Sequence, residues 1–202
     1  MLDMGHNPLP GLPPVESPLF KQWLAGAGLS EEDARVARDL HEQGFAVIDF
    51  PLDDFDQIAE DLKADLLKTP QFQKLVGIGP DKPGEPGGRV MNFVANPHAR
   101  SIACNDAVIA LLSRLYGRRA FPFQTLNFGM GTQQHYHSDS VHFSSVPERF
   151  MCGVWVALED IGPDQGPLVY YPGSHKWPVL YNDDVGHRVA RAGKKRSQEV
   201  YH

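Results

Sequence analysis

The chain has 202 residues, of which 42% are hydrophobic and 22% charged, and its formal net charge at pH 7 is −6. This length and composition predict one globular domain with a substantial hydrophobic core. The negative charge gives no general attraction for nucleic acid or anionic lipid, and no apolar run approaches the roughly 20 residues needed to cross a bilayer. The N-terminus has no basic segment followed by an apolar one, so we find no secretory signal. We therefore expect a cytoplasmic protein with neither nucleic acid nor membrane as a partner, and the sequence leaves its oligomeric state open.

The N-terminal region, residues 1–18, is rich in proline and glycine. It predicts a flexible arm, so that the domain itself covers residues 19–202. Ser30 then caps a helix whose first turn is acidic, and Gly44 ends it.

Two further helices are expected. One begins at Asp53 or Asp54 and ends at Thr69-Pro70, and the other begins at Asn105 or Asp106 and ends at Gly117. We expect the first two helices to cover the outside of a sheet.

Extended segments become more frequent towards the C-terminus. Residues 77–88, rich in glycine and proline, predict a flexible loop that is either a lid or an irregular surface connection. Helices first and strands later favour a β-sandwich or jelly roll with the helices packed outside. The predicted strands are residues 45–49, 89–93, 120–128, 150–158 and 167–171. The basic tail, residues 187–202, predicts a solvated helix or a loose end.

The segment Gln134–Asp139 carries the residues most suited to chemistry. It contains one His-x-Asp, formed by His137 and Asp139. On an extended strand, residues two apart point to the same face, so the imidazole and the carboxylate can meet at one metal ion. With a second His from elsewhere, such a pair would form the two-His, one-carboxylate site of non-haem iron(II) oxygenases. The cysteines, Cys104 and Cys152, predict buried thiols and match no zinc-finger spacing.

Two stretches together give the chain a family resemblance. The motif HYHSD, followed by GVWVALEDIGPDQGPLVYYPGSHK, resembles the phytanoyl-CoA dioxygenase family of iron(II)/2-oxoglutarate oxygenases. The likeness runs from about Arg89 to Trp177. It implies a double-stranded β-helix, which is a cupin-like jelly roll. It also implies Fe(II) as cofactor, with 2-oxoglutarate and O2 as cosubstrates.

The resemblance also implies roles for individual residues. His137 and Asp139 match two metal ligands with a catalytic role, whereas Arg89, Thr125 and Trp155 match positions that contact 2-oxoglutarate. Each of the last three has an ordinary alternative. Arg89 could form a surface salt bridge, Thr125 could simply fill a strand, and Trp155 could belong to the core.

Three further histidines lie near these motifs. In the family, the Pro-Gly-Ser-His that contains His175 is a structural corner at the pocket rim, so a ligand role is the weaker interpretation. His135 could support the site or touch substrate, and His142 could line the pocket. For both, an ordinary histidine at the rim is the simpler interpretation.

The pattern breaks downstream of His175. The family's third iron ligand is a later His followed by an Arg that binds the distal carboxylate of 2-oxoglutarate. Neither His187 nor His202 has that setting. We therefore expect the chain to be truncated before the last strands of the oxygenase domain, and the barrel to be incomplete.

Three functional hypotheses follow. The first is an oxygenase that hydroxylates a C–H bond of a small organic substrate and releases succinate and CO2. The second is a truncated jelly-roll module that binds a small molecule or a partner without turnover. A cupin-type metal enzyme independent of 2-oxoglutarate is weaker, because cupins usually supply several His ligands with a Glu, and the segment GTQQHYHSD contains no Glu. The sequence does not indicate the substrate.

Overall fold

The computed structural model describes residues 7–76, 89–91, 93–129, 134, 136–141, 143 and 145–178. The predicted loop over residues 77–88 and the tail over residues 187–202 lie outside this part. Within it, six α-helices precede or flank one two-stranded sheet. The helices are α1 (Phe20–Gly26), α2 (Glu31–Gln43), α3 (Phe55–Leu67), α4 (Pro70–Val76), α5 (Pro97–Ala103) and α6 (Asp106–Tyr116). None of the described helices combines the length and apolar character that a bilayer-spanning helix needs.

The three helices predicted from capping residues are present. The Ser30 side chain accepts a hydrogen bond from the Asp33 amide at 3.1 Å, and Gly44 ends α2 in the left-handed conformation. Asn105 caps α6 in the same way and Gly117 closes it, with a φ of 63°. These helix ends were confirmed because the caps satisfy local backbone groups and depend little on tertiary contacts.

The short helices α1, α4 and α5 were not predicted. Each has seven residues, which is too few for a clear helical period. Pro70 was interpreted as the end of a helix, but it is the first residue of α4, a position that tolerates its missing N–H.

The sheet consists of strands β1 (Arg89–Met91) and β2 (Leu126–Phe128), which pair antiparallel. Arg89 pairs with Phe128, and Val90 pairs with Asn127. Paired residues share a face, so Arg89 and Val90 lie on opposite faces of this ribbon.

Three predicted strands do not join a sheet in the described part of the chain: residues 45–49, 150–158 and 167–171. Their backbone groups bond to side chains or turns instead. The Val47 carbonyl accepts from Arg35 at 2.8 Å, and the Phe150 amide donates to Ser145 Oγ at 3.1 Å. The Tyr171 carbonyl accepts from the Ser174 amide in a turn. The jelly roll therefore remains a prediction.

One hydrophobic cluster joins the N-terminal segment to α1, α2 and α6. Its buried members are Val15, Phe20, Trp23, Val36, Ala37 and Leu115. The expectation of a flexible arm is wrong for the end of that segment, because Pro13, Pro14, Val15 and Ser17 are buried. Val15 is apolar and packs in the core, and its carbonyl accepts a hydrogen bond from His41 Nδ1 at 2.8 Å.

A second cluster places α3, α4 and α5 over one face of the ribbon. Its buried members are Leu62, Leu66, Phe72, Val90 and Ala99. The helix α3 thus covers one side of the sheet, as predicted, through Val90. By contrast, α2 packs in the first cluster.

The C-terminal end of α2 is where the motif Pro172–His175 docks. The Gly173 amide donates to the Gln43 carbonyl at 2.8 Å, and His175 Nε2 donates to the His41 carbonyl at 3.1 Å. Gly44 has a φ of 88°, and a Cβ added to it would lie 2.5 Å from His175 Nδ1. Gly44 therefore ends α2, and its lack of a side chain leaves the space that the His175 imidazole occupies.

Replacing Gly44 tests this close approach. Gly44→Ala should lose about 1–2 kcal/mol from its left-handed backbone, and about 1–3 kcal/mol more from the clash with His175. The matched control is Gly28→Ala, which has a φ of 59° but nothing within 4 Å of the added Cβ. Urea unfolding of both variants should show the larger loss for Gly44→Ala, and equal losses would contradict the close approach.

Candidate metal site

The structure brings His137 and Asp139 together. His137 Nε2 lies 3.5 Å from Asp139 Oδ1. The imidazole side chain is 19% exposed and the carboxylate 56%, so the pair lies at the surface with its carboxylate open to solvent. This confirms that the two groups lie side by side.

The local backbone differs from the expected strand. Asp139 opens a 3-10 turn, Asp139–Val141, and its carbonyl accepts from the Phe143 amide at 2.9 Å. The hydroxyls of Ser138 and Ser140 bond to one another at 2.8 Å. Short polar side chains favour turns in this way, so they compete with the extended conformation that the His-x-Asp spacing suggested.

The spacing of the pair suits one divalent metal ion. Two ligands about 2.1 Å from one ion and about 90° apart are separated by about 3.0 Å. The observed 3.5 Å lies within a small side-chain adjustment of that value. Among the described residues, no group of three or more His, Cys, Asp or Glu side chains forms a metal-binding cluster. The described part thus contributes two candidate ligands.

Asp139 rests against the segment that follows Phe150. A Cβ added to Gly153 would lie 3.6 Å from Asp139 Oδ2. The carboxylate also acts on two neighbouring groups. Burial raises the pKa of Tyr170, and the negative charge of Asp139 raises it further. Burial also raises the pKa of the Cys152 thiol, to which the same charge adds.

The predicted 2-oxoglutarate contacts Arg89 and Thr125 lie on or beside the ribbon. Arg89 shares a face with Phe128, opposite to the Val90 side chain that packs in the second cluster. Its carbonyl accepts from Gln71 Nε2 at 3.1 Å. Thr125 Oγ1 accepts from the Phe93 amide at 3.1 Å, which ties the chain after β1 to the chain before β2. The Thr125 hydroxyl therefore has a structural partner, and its contact with a cosubstrate stays a prediction.

Trp155 is half exposed, at 48%, so it is not the core residue that its apolar strand pattern allowed. It follows Gly153 by two residues. Tyr136, which precedes His137 in the chain, is also exposed, and its ring lies 4.6 Å between centroids from that of Tyr171. The contact of Trp155 with 2-oxoglutarate stays a prediction.

His175 contacts the end of α2, and its place at the rim of a pocket stays a prediction. Its Nε2 donates to the His41 carbonyl, and its Nδ1 is buried with no hydrogen-bond partner among the described residues. Arg149 Nη1 donates both to the His175 carbonyl at 3.0 Å and to Glu16 Oε2 at 2.8 Å. Burial lowers the pKa of His175. His135 and His142 lie outside the described residues.

The sequence did not indicate two residues near Asp139. Gly153 lies within the family motif without an assigned role, and the sequence assigns no role to Tyr116. The Tyr116 hydroxyl donates to the Met151 carbonyl at 3.3 Å. A contact between residues 35 positions apart leaves no periodic signal in a single sequence.

Comparison with known proteins gives a family match over most of the chain. Residues 40–199 match the family described as Phytanoyl-CoA dioxygenase (PhyH). The chain belongs to this family. PhyH proteins are generally iron(II)/2-oxoglutarate oxygenases. No solved structure matches the chain.

A curated relative carries the same family name. The chain is 36% identical over 66 residues to a protein of Danio rerio named "Phytanoyl-CoA dioxygenase domain-containing protein 1". That match covers 33% of this chain and 21% of the relative.

The two thiols provide a test of burial around Asp139. The prediction that both are buried is wrong for Cys104, which is exposed where α5 ends. We expect a thiol reagent at pH 8 to label Cys104 quickly and Cys152 slowly, because burial raises the pKa of the Cys152 thiol. Mass spectrometry of the timed reaction distinguishes the two sites, and equal labelling rates in the native protein would contradict this arrangement.

The docking of His175 should make stability depend on pH. Because the folded pKa of His175 lies below its ordinary value of 6.5, the neutral ring contributes stability that is present above pH 6.5 and lost as pH falls below it. The matched variant is His175→Gln, which keeps a donor for the His41 carbonyl. Between pH 7.5 and pH 5, we expect the free energy of unfolding to fall more for wild type than for His175→Gln. Urea unfolding at both values measures this, and a constant difference would refute it.

Proposed function

We propose that this chain is an iron(II)- and 2-oxoglutarate-dependent oxygenase that hydroxylates a C–H bond of a small organic substrate. The observation that carries the proposal is the 3.5 Å approach of His137 Nε2 to Asp139 Oδ1, within a chain that belongs to the PhyH family. A neutral nitrogen and a carboxylate oxygen are the donor types of non-haem iron(II) sites.

The residues of this chain would hold and orient the reactants. His137 and Asp139 would bind the metal, and the Asp139 carboxylate lies near Gly153, with Oδ2 3.6 Å from the position that a Cβ would take there. When bound, iron(II) together with 2-oxoglutarate supplies the oxidation of C–H to C–OH by O2, with succinate and CO2 as coproducts. The protein's part is binding, orientation and exclusion of water.

Arg89 is the proposed partner of the far carboxylate of 2-oxoglutarate. Its guanidinium can grip a carboxylate through two hydrogen bonds. The support is its place on the face of the ribbon opposite to the helices, which would face inwards in the proposed jelly roll. Trp155 and Thr125 would complete the wall of the pocket, and the half-exposed indole leaves a surface for a ligand to cover.

A binding module without turnover is the second candidate. Two observations favour it: the described residues bring together no group of three metal ligands, and the Asp139 carboxylate is more than half exposed. Two protein ligands hold a divalent ion less firmly than three. The binding module would use the same metal site as the oxygenase, but it would form no hydroxylated product and no succinate.

Anaerobic titration with Fe(II) and 2-oxoglutarate tests the proposal. We expect the weak visible charge-transfer band of the iron–keto acid chelate, and succinate once O2 is admitted. Asp139→Ala should abolish both, because it removes one of the two candidate ligands. The matched control is Asp164→Ala, which removes an exposed carboxylate from another 3-10 turn, Pro163–Gln165, and should retain the band.

The possible outcomes separate the two candidates. A band without succinate would support the binding module. If the intact protein gives no band and forms no succinate, the oxygenase is refuted. A band that survives in Asp139→Ala would show that the metal does not bind at this site.

A further inference from the structure

Tyr116 is the last residue of α6 and contacts the segment that leads to Gly153. Its hydroxyl donates to the Met151 carbonyl at 3.3 Å and also interacts with the Cys152 side chain. Burial raises the pKa of Tyr116 well above its ordinary value, so the hydroxyl stays a neutral donor at physiological pH. The phenol thus connects a helix to the chain segment that leads to Gly153.

The segment Met151–Gly153 forms no sheet pairing in the described part of the chain, so other contacts must fix it. Just before it, the Phe150 amide donates to Ser145 Oγ, and the Arg118 guanidinium stacks over the Phe150 ring at 4.2 Å. The hydroxyl of Tyr116 provides the next anchor, one residue further on.

Asp139 lies near the end of this segment. Its Oδ2 approaches the position of a Gly153 Cβ at 3.6 Å, and its charge adds to the raised pKa of the Cys152 thiol. A shift of the backbone at residues 151–153 would therefore change where the carboxylate can rest. Groups that orient a metal ligand from behind commonly alter metal affinity about 10–100-fold.

We propose that Tyr116 is a positioning residue for Asp139: its hydroxyl fixes the Met151–Gly153 backbone, against which the carboxylate rests when it binds the metal. The inference rests on the proposed metal site and deepens it. Tyr116 itself touches neither metal nor substrate in this account, and it acts through the backbone.

The test is Mn(II) binding to Tyr116→Phe, followed by electron paramagnetic resonance of the free ion. We expect the Kd for Mn(II) to rise about 10-fold. The matched control is Ser113→Ala on the same helix, which removes a buried hydroxyl that bonds to the Ile109 carbonyl and the Ala120 amide. Ser113→Ala should lose stability in urea yet keep the wild-type Kd.

Each outcome decides the matter. An unchanged Kd in Tyr116→Phe overturns the positioning role while leaving the metal site intact. Equal weakening in both variants also overturns it, because general loosening of α6 would then be the cause. If wild type binds no Mn(II), the proposed function fails and this inference fails with it.

A measurement on the wild-type protein needs no variant. Zn(II) is diamagnetic, so NMR signals can be followed as it binds. The Tyr116 ring signals should shift during the titration, whereas the indole signal of Trp23, in the first cluster, should stay in place. Shifts at Tyr116 would support the coupling, and a stationary Tyr116 signal in metal-loaded protein would overturn it.

Discussion

The docking of residues 173–175 on the end of α2 is the interaction on which the described structure depends. It joins positions 134 residues apart, through the His175 Nε2 bond to the His41 carbonyl. The last carbonyls of a helix need partners, and here the Gly173 amide supplies one at Gln43. Arg149 then ties the same corner to Glu16 in the N-terminal segment. Without this contact, the C-terminal half would have few fixed points against the helices.

The candidate metal site lies beside the segment Met151–Gly153, to which Tyr116 at the end of α6 is hydrogen-bonded. Asp139 Oδ2 lies 3.6 Å from the position of a Gly153 Cβ, and the Tyr116 hydroxyl donates to the Met151 carbonyl two residues earlier. Burial raises the pKa values of Tyr170 and Cys152, and the negative charge of Asp139 adds to both shifts, so the phenol and the thiol stay neutral beside the carboxylate.

The sequence predicted what depends on local rules. Ser30 with Gly44 and Asn105 with Gly117 marked helix ends, since caps bond to neighbouring backbone. The HYHSD motif placed His137 beside Asp139, although in a turn and not on a strand, because the hydroxyls of Ser138 and Ser140 bond locally. What failed depends on distant partners. Residues 150–158 have the pattern of a strand, but the backbone of Phe150 and Met151 bonds to the side chains of Ser145 and Tyr116. The alternation of apolar and polar residues does not indicate which partners the backbone will have.

The central claim is that His137 and Asp139 hold one divalent ion, and paramagnetic broadening of backbone NMR signals by Mn(II) tests it most directly. The account predicts that the signals of residues 137–139 and Gly153 disappear at substoichiometric Mn(II), while those of α1 remain sharp. Broadening centred instead on another carboxylate group, such as Glu159 and Asp160, would contradict it. So would a spectrum that Mn(II) leaves unchanged.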